Sequence, residues 1–141
     1  MNDFARALVA ALRSGEYPQA RHSLREVAHS PRARDAYCIL GVACELYRLT
    51  YGEGEWDGEV FIVADEDAAH YVLPLAVKDA LGFQDSLGSY NRNDLMSQND
   101  RGVTFAQLAG IIESEPEGLF VASRVDMMRC ELYYARAEGG R

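Results

Sequence analysis

The most apolar run in the chain is AYCILGVACELYR, residues 36–48, and it limits the folds that the chain can adopt. Apolar residues fall on nearly every side of a helical wheel drawn for this run, which is typical of a helix that is buried all round. The run is too short to span a bilayer. Upstream, Ser30 offers a capping hydroxyl and Pro31 is preorganised for the first helical position. The sequence therefore predicts a central buried helix over residues 31–48.

The segments around this run predict a fold that is mainly helical. Further helices are predicted over residues 2–14, 20–29, 75–81, 104–114 and 124–137. The helix that follows Thr104 has a clear start signal, because Thr104 and Gln107 have the spacing of a capping box. Residues 59–64, EVFIVA, indicate a short buried strand, with residues 71–73 or 119–122 as candidate partners. The predicted fold class is α+β, mainly α, with about five helices around the central buried helix and a sheet of two or three strands.

Length and charge restrict the function further. The 141 residues fit one globular domain over residues 1–141. A net charge of −8 argues against sequence-independent binding to the phosphates of a nucleic acid. The acidity is explained either by solubility or by a face that meets a basic partner, including the nucleic-acid groove of a host protein. No basic segment followed by a long apolar run opens the chain, so we expect a cytoplasmic protein that does not contact a membrane.

Few residues have a pattern that is typical of catalysis. Cys38, Cys44 and Cys130 are an odd number of cysteines, and we expect reduced thiols, two of which pack in the core helix. The histidines are scattered, and the cysteines do not have the spacing of zinc ligands. Carboxylates cluster at residues 53–59 and 65–67, where a solvated loop is the simpler interpretation. The sequence therefore predicts no catalytic residue, no metal site and no cofactor.

A polar stretch, residues 84–102, contains the candidate ligand-binding residues. Asparagine, aspartate and glycine at its end allow a tight turn before a helix, whose first backbone N–H groups can receive an anion beside an arginine. A tyrosine and an arginine earlier in the stretch can supply stacking and bidentate contacts. A turn without any ligand is the alternative. The predicted site consists of Tyr90, Asn91, Arg92, Asn99, Asp100, Arg101 and Thr104.

Four segments together resemble a family of small uncharacterised proteins found in bacteriophage and bacterial genomes. They are LRSGEYPQ (12–19), YCILGVACELYR (37–48), the helix from Leu73-Pro74 to Leu81-Gly82-Phe83, and QNDRGVTFAQLAGIIE (98–113). The family pattern usually has a cysteine pair where this chain has Cys38 and Ile39, and this departure argues against paired-thiol chemistry. The resemblance implies an origin more than an activity, since small phage accessory proteins often sequester a host signal or block a host defence protein.

These observations favour a non-enzymatic counter-defence protein that binds and sequesters a host-derived ligand. An anionic signalling nucleotide held by the 90–104 loop is slightly preferred. One alternative is an acidic inhibitor that occludes a basic surface of a host nucleic-acid-binding protein, and another is a small hydrolase that uses Asp100 or a carboxylate of residues 53–59. The expected partner is a small anionic host ligand or a host defence protein, with no direct nucleic-acid contact. A homo-oligomer is left open.

Overall fold

The computed structural model describes residues 1–122, which form five helices and three two-stranded antiparallel sheets. The predicted class, α+β and mainly α, is confirmed. The elements are α1 (Asp3–Ser14), β1 (Arg25–Glu26), β2 (Ala36–Tyr37), α2 (Ile39–Tyr51), β3 (Glu55–Asp57), β4 (Val60–Ile62), α3 (Leu75–Leu81), β5 (Ser89–Tyr90), β6 (Asn93–Asp94), α4 (Leu95–Asp100) and α5 (Phe105–Glu113). The helix predicted over 124–137 lies outside the described residues. None of the described helices has the length and apolar character needed to cross a membrane.

Helix α2 is the predicted central buried helix. Eight of its 13 residues are buried, and α1, α3 and α4 all pack against it. It ends at Gly52, whose φ of +69° is a conformation that glycine adopts without strain. The apolar run therefore forms the centre of the core, as the sequence predicts.

The predicted start of this helix at Pro31 is wrong, because α2 begins at Ile39. Tyr37 is extended instead, and its backbone N–H donates to the carbonyl of Pro18 at 2.8 Å. A residue whose N–H donates to the carbonyl of a distant segment cannot also take part in the hydrogen bonds of the helix. The N-cap is Cys38, whose Sγ accepts a hydrogen bond from a backbone N–H of the first turn at 3.4 Å.

Residues 20–29 do not form the predicted second helix. The N–H of Leu24 donates to the carbonyl of His70 at 3.1 Å, and the carbonyl of Leu24 accepts from the N–H of Cys38 at 3.3 Å. These long-range bonds hold the segment extended, and β1 pairs with β2. Val27, within this segment, is exposed. Tertiary bonding thus overrides a weak helical pattern.

The predicted buried strand is present as β4, but its partner is β3, which lies within residues 53–59 that the sequence assigns to a loop. On its other edge, Phe61 forms an antiparallel bridge with Ala69. Neither 71–73 nor 119–122 pairs with this strand. Three two-stranded sheets therefore take the place of the single small sheet that was expected.

The polar stretch 84–102 contains β5, β6 and α4, although the sequence predicts a loop there. Helix α4 is capped by Asp94, whose Oδ1 accepts from the N–H of Ser97 at 2.6 Å, and its Leu95 is fully buried. Its six residues make fewer than two helical turns. An element this short gives no readable periodicity, which is why sequence reasoning missed it.

The predictions for α1, α3 and α5 are confirmed. Thr104 Oγ1 accepts from the N–H of Gln107 at 3.2 Å, and Gln107 Oε1 accepts from the N–H of Thr104 at 3.1 Å, which is the predicted capping box. Helix α3 ends at Gly82, after which the N–H of Phe83 returns to the carbonyl of Lys78 at 3.1 Å. Helix α1 packs against α2 and α5.

We predict that Gly41→Ala lowers the free energy of unfolding by more than about 2 kcal/mol. A Cβ at this position would lie 1.7 Å from the carbonyl oxygen of Leu24, which is backbone and cannot move aside cheaply. Urea denaturation of the whole chain measures the change.

Gly110→Ala is the matched control, because Gly110 also lies inside a helix but has no atom within 4 Å of the added Cβ. This variant should gain about 0.5–1 kcal/mol, since alanine restricts the unfolded chain more than glycine does. Equal effects of the two substitutions would show that the close contact at Gly41 does not exist.

Candidate functional site

The structure distributes the seven predicted ligand-binding residues over several environments. Tyr90, Asn91 and Arg92 lie at the β5–β6 hairpin and border a shallow cavity of about 370 Å³. Asn91 and Arg92 form its two-residue turn with φ values of +42° and +67°, and both are exposed. A hairpin turn of this type favours glycine at its second position, so an arginine there is held in an uncommon backbone conformation.

Asn99 is fully buried and serves the fold rather than a surface. Its Oδ1 accepts from the N–H of Ile39 at 3.1 Å and from Nε2 of Gln19 at 3.0 Å, and its Nδ2 donates to the carbonyl of Ala20 at 2.8 Å. The side chain thus provides partners for the first N–H of α2 and for the extended segment before β1. All of its strong hydrogen-bonding capacity is used inside the protein.

The start of α5 does not present free N–H groups in the way that the anion hypothesis requires. The N–H groups of Thr104 and Gln107 are used in the capping box, and the N–H of Phe105 donates to Oε1 of Gln19 at 3.1 Å. Arg101 is exposed at the end of α4, where its backbone N–H bonds to α4. Three of the groups expected to receive an anion therefore already have protein acceptors.

Asp100 lies beside Cys38 and His22 at a cavity of about 230 Å³. Its Oδ1 accepts from the backbone N–H of His22 at 2.9 Å, and its Oδ2 lies 3.5 Å from Nδ1 of the same residue. Burial raises the pKa of the Cys38 thiol to about 11, although the N–H groups at the start of α2 lower it. The thiol is therefore protonated near neutral pH and is a poor nucleophile.

A larger cleft, of about 720 Å³, lies between β1, β2, β3 and the outer side of α2. This volume is within the range of small-ligand sites. Sequence reasoning did not identify it. The charged and aromatic residues that line it are Arg25, Asp35, Tyr37, Glu45, Arg48, Glu55 and Trp56.

Glu45 organises one wall of this cleft. It is 7% exposed and is one of two buried polar or charged residues in the described range. Its Oε2 accepts from the indole N–H of Trp56 at 2.6 Å, and Arg48 binds it through both Nε and Nη2. Burial and the nearby Glu45 raise the pKa of Tyr37, so this ring stays neutral. The carboxylate thus fixes an indole and a guanidinium at the cleft.

Arg25 and Asp35 also line the cleft. Nη2 and Nε of Arg25 donate to Oδ2 of Asp35 at 2.6 and 3.2 Å, and the guanidinium lies 5.4 Å from the ring centre of Trp56. Asp35 also accepts from the N–H of Ala28 at 2.9 Å, and this bond together with Arg25 keeps the pKa of the carboxyl below its usual range. Both guanidiniums of the cleft are therefore paired with carboxylates.

The cleft adjoins a part of the chain with a one-sided charge, the acidic segment, which we define as residues 49–77. It contains seven of the 22 acidic residues and none of the 14 basic ones. It also carries six of the eight large apolar side chains that are exposed in residues 1–122: Leu49, Tyr51, Ile62, Tyr71, Val72 and Leu75. The acidic segment is thus both charged and apolar at its surface.

Within the acidic segment, residues 65–75 form a groove of about 420 Å³, the acidic groove. Its apolar lining includes Val72 and Leu75, and its rim carries the exposed Asp65 and Asp67. Glu66 instead caps α3 by accepting the first two N–H groups of that helix at 2.6 and 3.1 Å. Two carboxylates of the rim therefore remain available to a partner.

Two signals for the cleft are visible in the sequence. Trp56 is the single tryptophan of the chain and lies in a stretch otherwise rich in glycine and acid, and Glu45 interrupts the most apolar run. A charge inside a buried helix requires a partner, which points to a polar site at that position. Neither signal identifies the partner, because Trp56 reaches Glu45 only through the β3–β4 hairpin.

We predict that Asn99→Ala lowers the free energy of unfolding by about 3 kcal/mol, because buried backbone groups of Ile39 and Ala20 lose their partners. The control is Asn93→Ala, whose side chain is exposed and accepts only a 3.3 Å bond from Gln98. That variant should change stability by less than about 0.5 kcal/mol. A ligand-binding surface role for Asn99 would instead leave both variants equally stable in denaturant.

Comparison with known proteins identifies a family. No curated protein and no solved structure matches the chain. A family model covers residues 2–116, a range that includes all five helices, the cleft and the acidic segment. This confirms that the chain belongs to an uncharacterised family, whereas the bacteriophage origin stays a prediction. The chain belongs to the family described as a domain of unknown function, DUF8296.

Proposed function

We propose that the protein is a non-enzymatic, phage-type accessory protein that acts by binding, and that its acidic segment occludes a basic surface of a host protein. The observation that supports this proposal most directly is the concentration of negative charge in one segment of the chain. Residues 49–77 account for seven of the eight net negative charges of the chain. Complementary charge of this kind speeds encounter with a basic partner and disfavours other partners.

Exposed apolar side chains support a binding role over solubility alone. A surface that only keeps a protein soluble mixes charges of both signs and exposes few large apolar residues. The acidic segment does the opposite, since Tyr71 and Leu75 are 60% and 58% exposed beside carboxylates. Apolar anchors inside a charged rim are the usual composition of a protein interface. The nucleic-acid groove of a host protein, which is basic, is the kind of surface that this segment fits.

The acidic groove gives the proposal a direct test. We predict that a short fluorescein-labelled peptide of alternating arginine and leucine binds the protein, and that salt weakens the binding. The double variant Asp65→Asn/Asp67→Asn should weaken binding by about fivefold, because two exposed charge pairs are lost. Asparagine suits position 65, where φ is +65°. Fluorescence anisotropy measures the affinity.

The control is Asp3→Asn/Glu16→Gln, which changes the net charge by the same amount outside the acidic segment. Asp3 and Glu16 are both exposed, so the control should fold normally. We expect it to retain nearly full affinity. If the two double variants weaken binding equally, the peptide responds to net charge alone and the proposed surface is wrong.

A second candidate, an anionic host ligand such as a signalling nucleotide, is supported by the β5–β6 hairpin. Arg92 keeps an exposed guanidinium in a backbone conformation that glycine would adopt with less strain. Mass spectrometry of material released from the denatured protein tests this candidate. A nucleotide recovered from the wild type and lost with Arg92→Gly would favour it over the basic partner.

A further inference from the structure

A second part of the chain has the opposite charge, the basic segment, which we define as residues 21–34. It contains four of the 14 basic residues and one of the 22 acidic ones. Its Arg32 and Arg34 are exposed on the connection between β1 and β2. Arg34 donates to the backbone carbonyl of Glu16 at 3.0 Å, and neither arginine is in an ion pair with a residue of the range 1–122. Both guanidiniums are therefore open to a carboxylate of another molecule.

The basic segment also has an apolar part at its surface. Val27 is 37% exposed and is one of only two large apolar side chains that are exposed in residues 1–122 outside the acidic segment. It borders a shallow cavity of about 270 Å³ together with Ala33 and Arg34. The basic segment thus combines positive charge with an exposed apolar surface, as the acidic groove combines negative charge with an apolar lining.

The two surfaces do not neutralise each other within one molecule. No ion pair between described residues joins the basic segment to the acidic groove, and both Asp65 and Asp67 are exposed. Complementary potentials on two separate surfaces of one chain favour contact between copies, since each copy supplies what the other lacks. Contact of this kind uses a different surface on each side, which makes it heterologous.

We infer that the chain binds a second copy of itself, with the basic segment of one copy seated in the acidic groove of the other. Arg32 and Arg34 pair with Asp65 and Asp67, and Val27 lies on the apolar lining of the groove. The inference rests on the proposed function because it concerns the same groove. A second copy covers the groove until a basic partner displaces it.

Sedimentation equilibrium of the whole chain tests this contact. At low salt, the weight-average mass should rise above that of one chain as the protein concentration increases. In about 1 M sodium chloride it should return towards that of one chain, because the charge pairs are screened. Repulsion between like net charges predicts the reverse, since salt would then favour association.

Two double variants should each weaken the self-association by about fivefold, because each removes two exposed charge pairs. They are Arg32→Gln/Arg34→Gln and Asp65→Asn/Asp67→Asn. The second also lowers the net negative charge of the chain, so an effect of net charge alone would strengthen the association instead.

Arg6→Gln/Arg13→Gln is the control for the arginine variant, because it changes the net charge equally on α1, outside both surfaces. We expect it to associate as the wild type does.

Mixing the two weakened variants gives the sharpest result. One retains an intact acidic groove and the other an intact basic segment, so an equimolar mixture should form a mixed dimer with nearly wild-type affinity. A mixture that associates as weakly as either variant alone overturns the inference. So does a wild-type chain that stays monomeric up to about 1 mM at low salt.

The binding of the arginine–leucine peptide separates the two proposals. A chain that stays monomeric but binds the peptide in the acidic groove overturns the inference and leaves the proposed function standing. A chain that associates through these two surfaces but does not bind the peptide supports the inference and contradicts the proposed function.

Discussion

The carbonyl oxygen of Leu24 lies directly against Gly41, and the rest of the fold depends on this contact. The same carbonyl accepts the N–H of Cys38, the residue that caps α2. A side chain at position 41 would push the extended segment away from the helix and break that bond. Asn99 of α4 completes the arrangement by joining the start of α2 to the carbonyl of Ala20. The Leu24–Gly41 contact and the hydrogen bonds of Asn99 therefore position α2, α4 and the segment before β1 relative to one another.

Helix α2 connects this buried contact to the cleft, because the same helix contributes Glu45 and Arg48 to the cleft lining. Glu45 lies about two turns beyond Cys38, where its carboxylate fixes Trp56 and Arg48. This ion pair is only partly buried, because the side chain of Arg48 is 40% exposed, and such a pair contributes about 1 kcal/mol or less to stability. The charge of Glu45 instead serves to place an aromatic ring and a guanidinium at the cleft.

Helices with strong local signals were predictable from the sequence. The capping box at Thr104 and the glycine stop at Gly82 are interactions between residues close in the chain. The start of α2 was not predictable, because the bonds that keep Tyr37 extended come from Pro18 and Ala20.

The candidate site was predictable only in part, for the same reason. Asn99 belongs to a polar stretch by sequence, yet its partners are distant residues of the core. Nothing local distinguishes such an asparagine from one that binds a ligand. The cleft depends on contacts among four separate elements, and the acidic segment alone is visible as a contiguous pattern.

Nuclear magnetic resonance of the ¹⁵N-labelled protein, titrated with the arginine–leucine peptide, tests the central claim most directly. If the acidic segment is the binding surface, the perturbed amides should cluster in residues 49–77. Perturbations confined to residues 90–104, the ligand-binding stretch predicted from the sequence, would contradict the account.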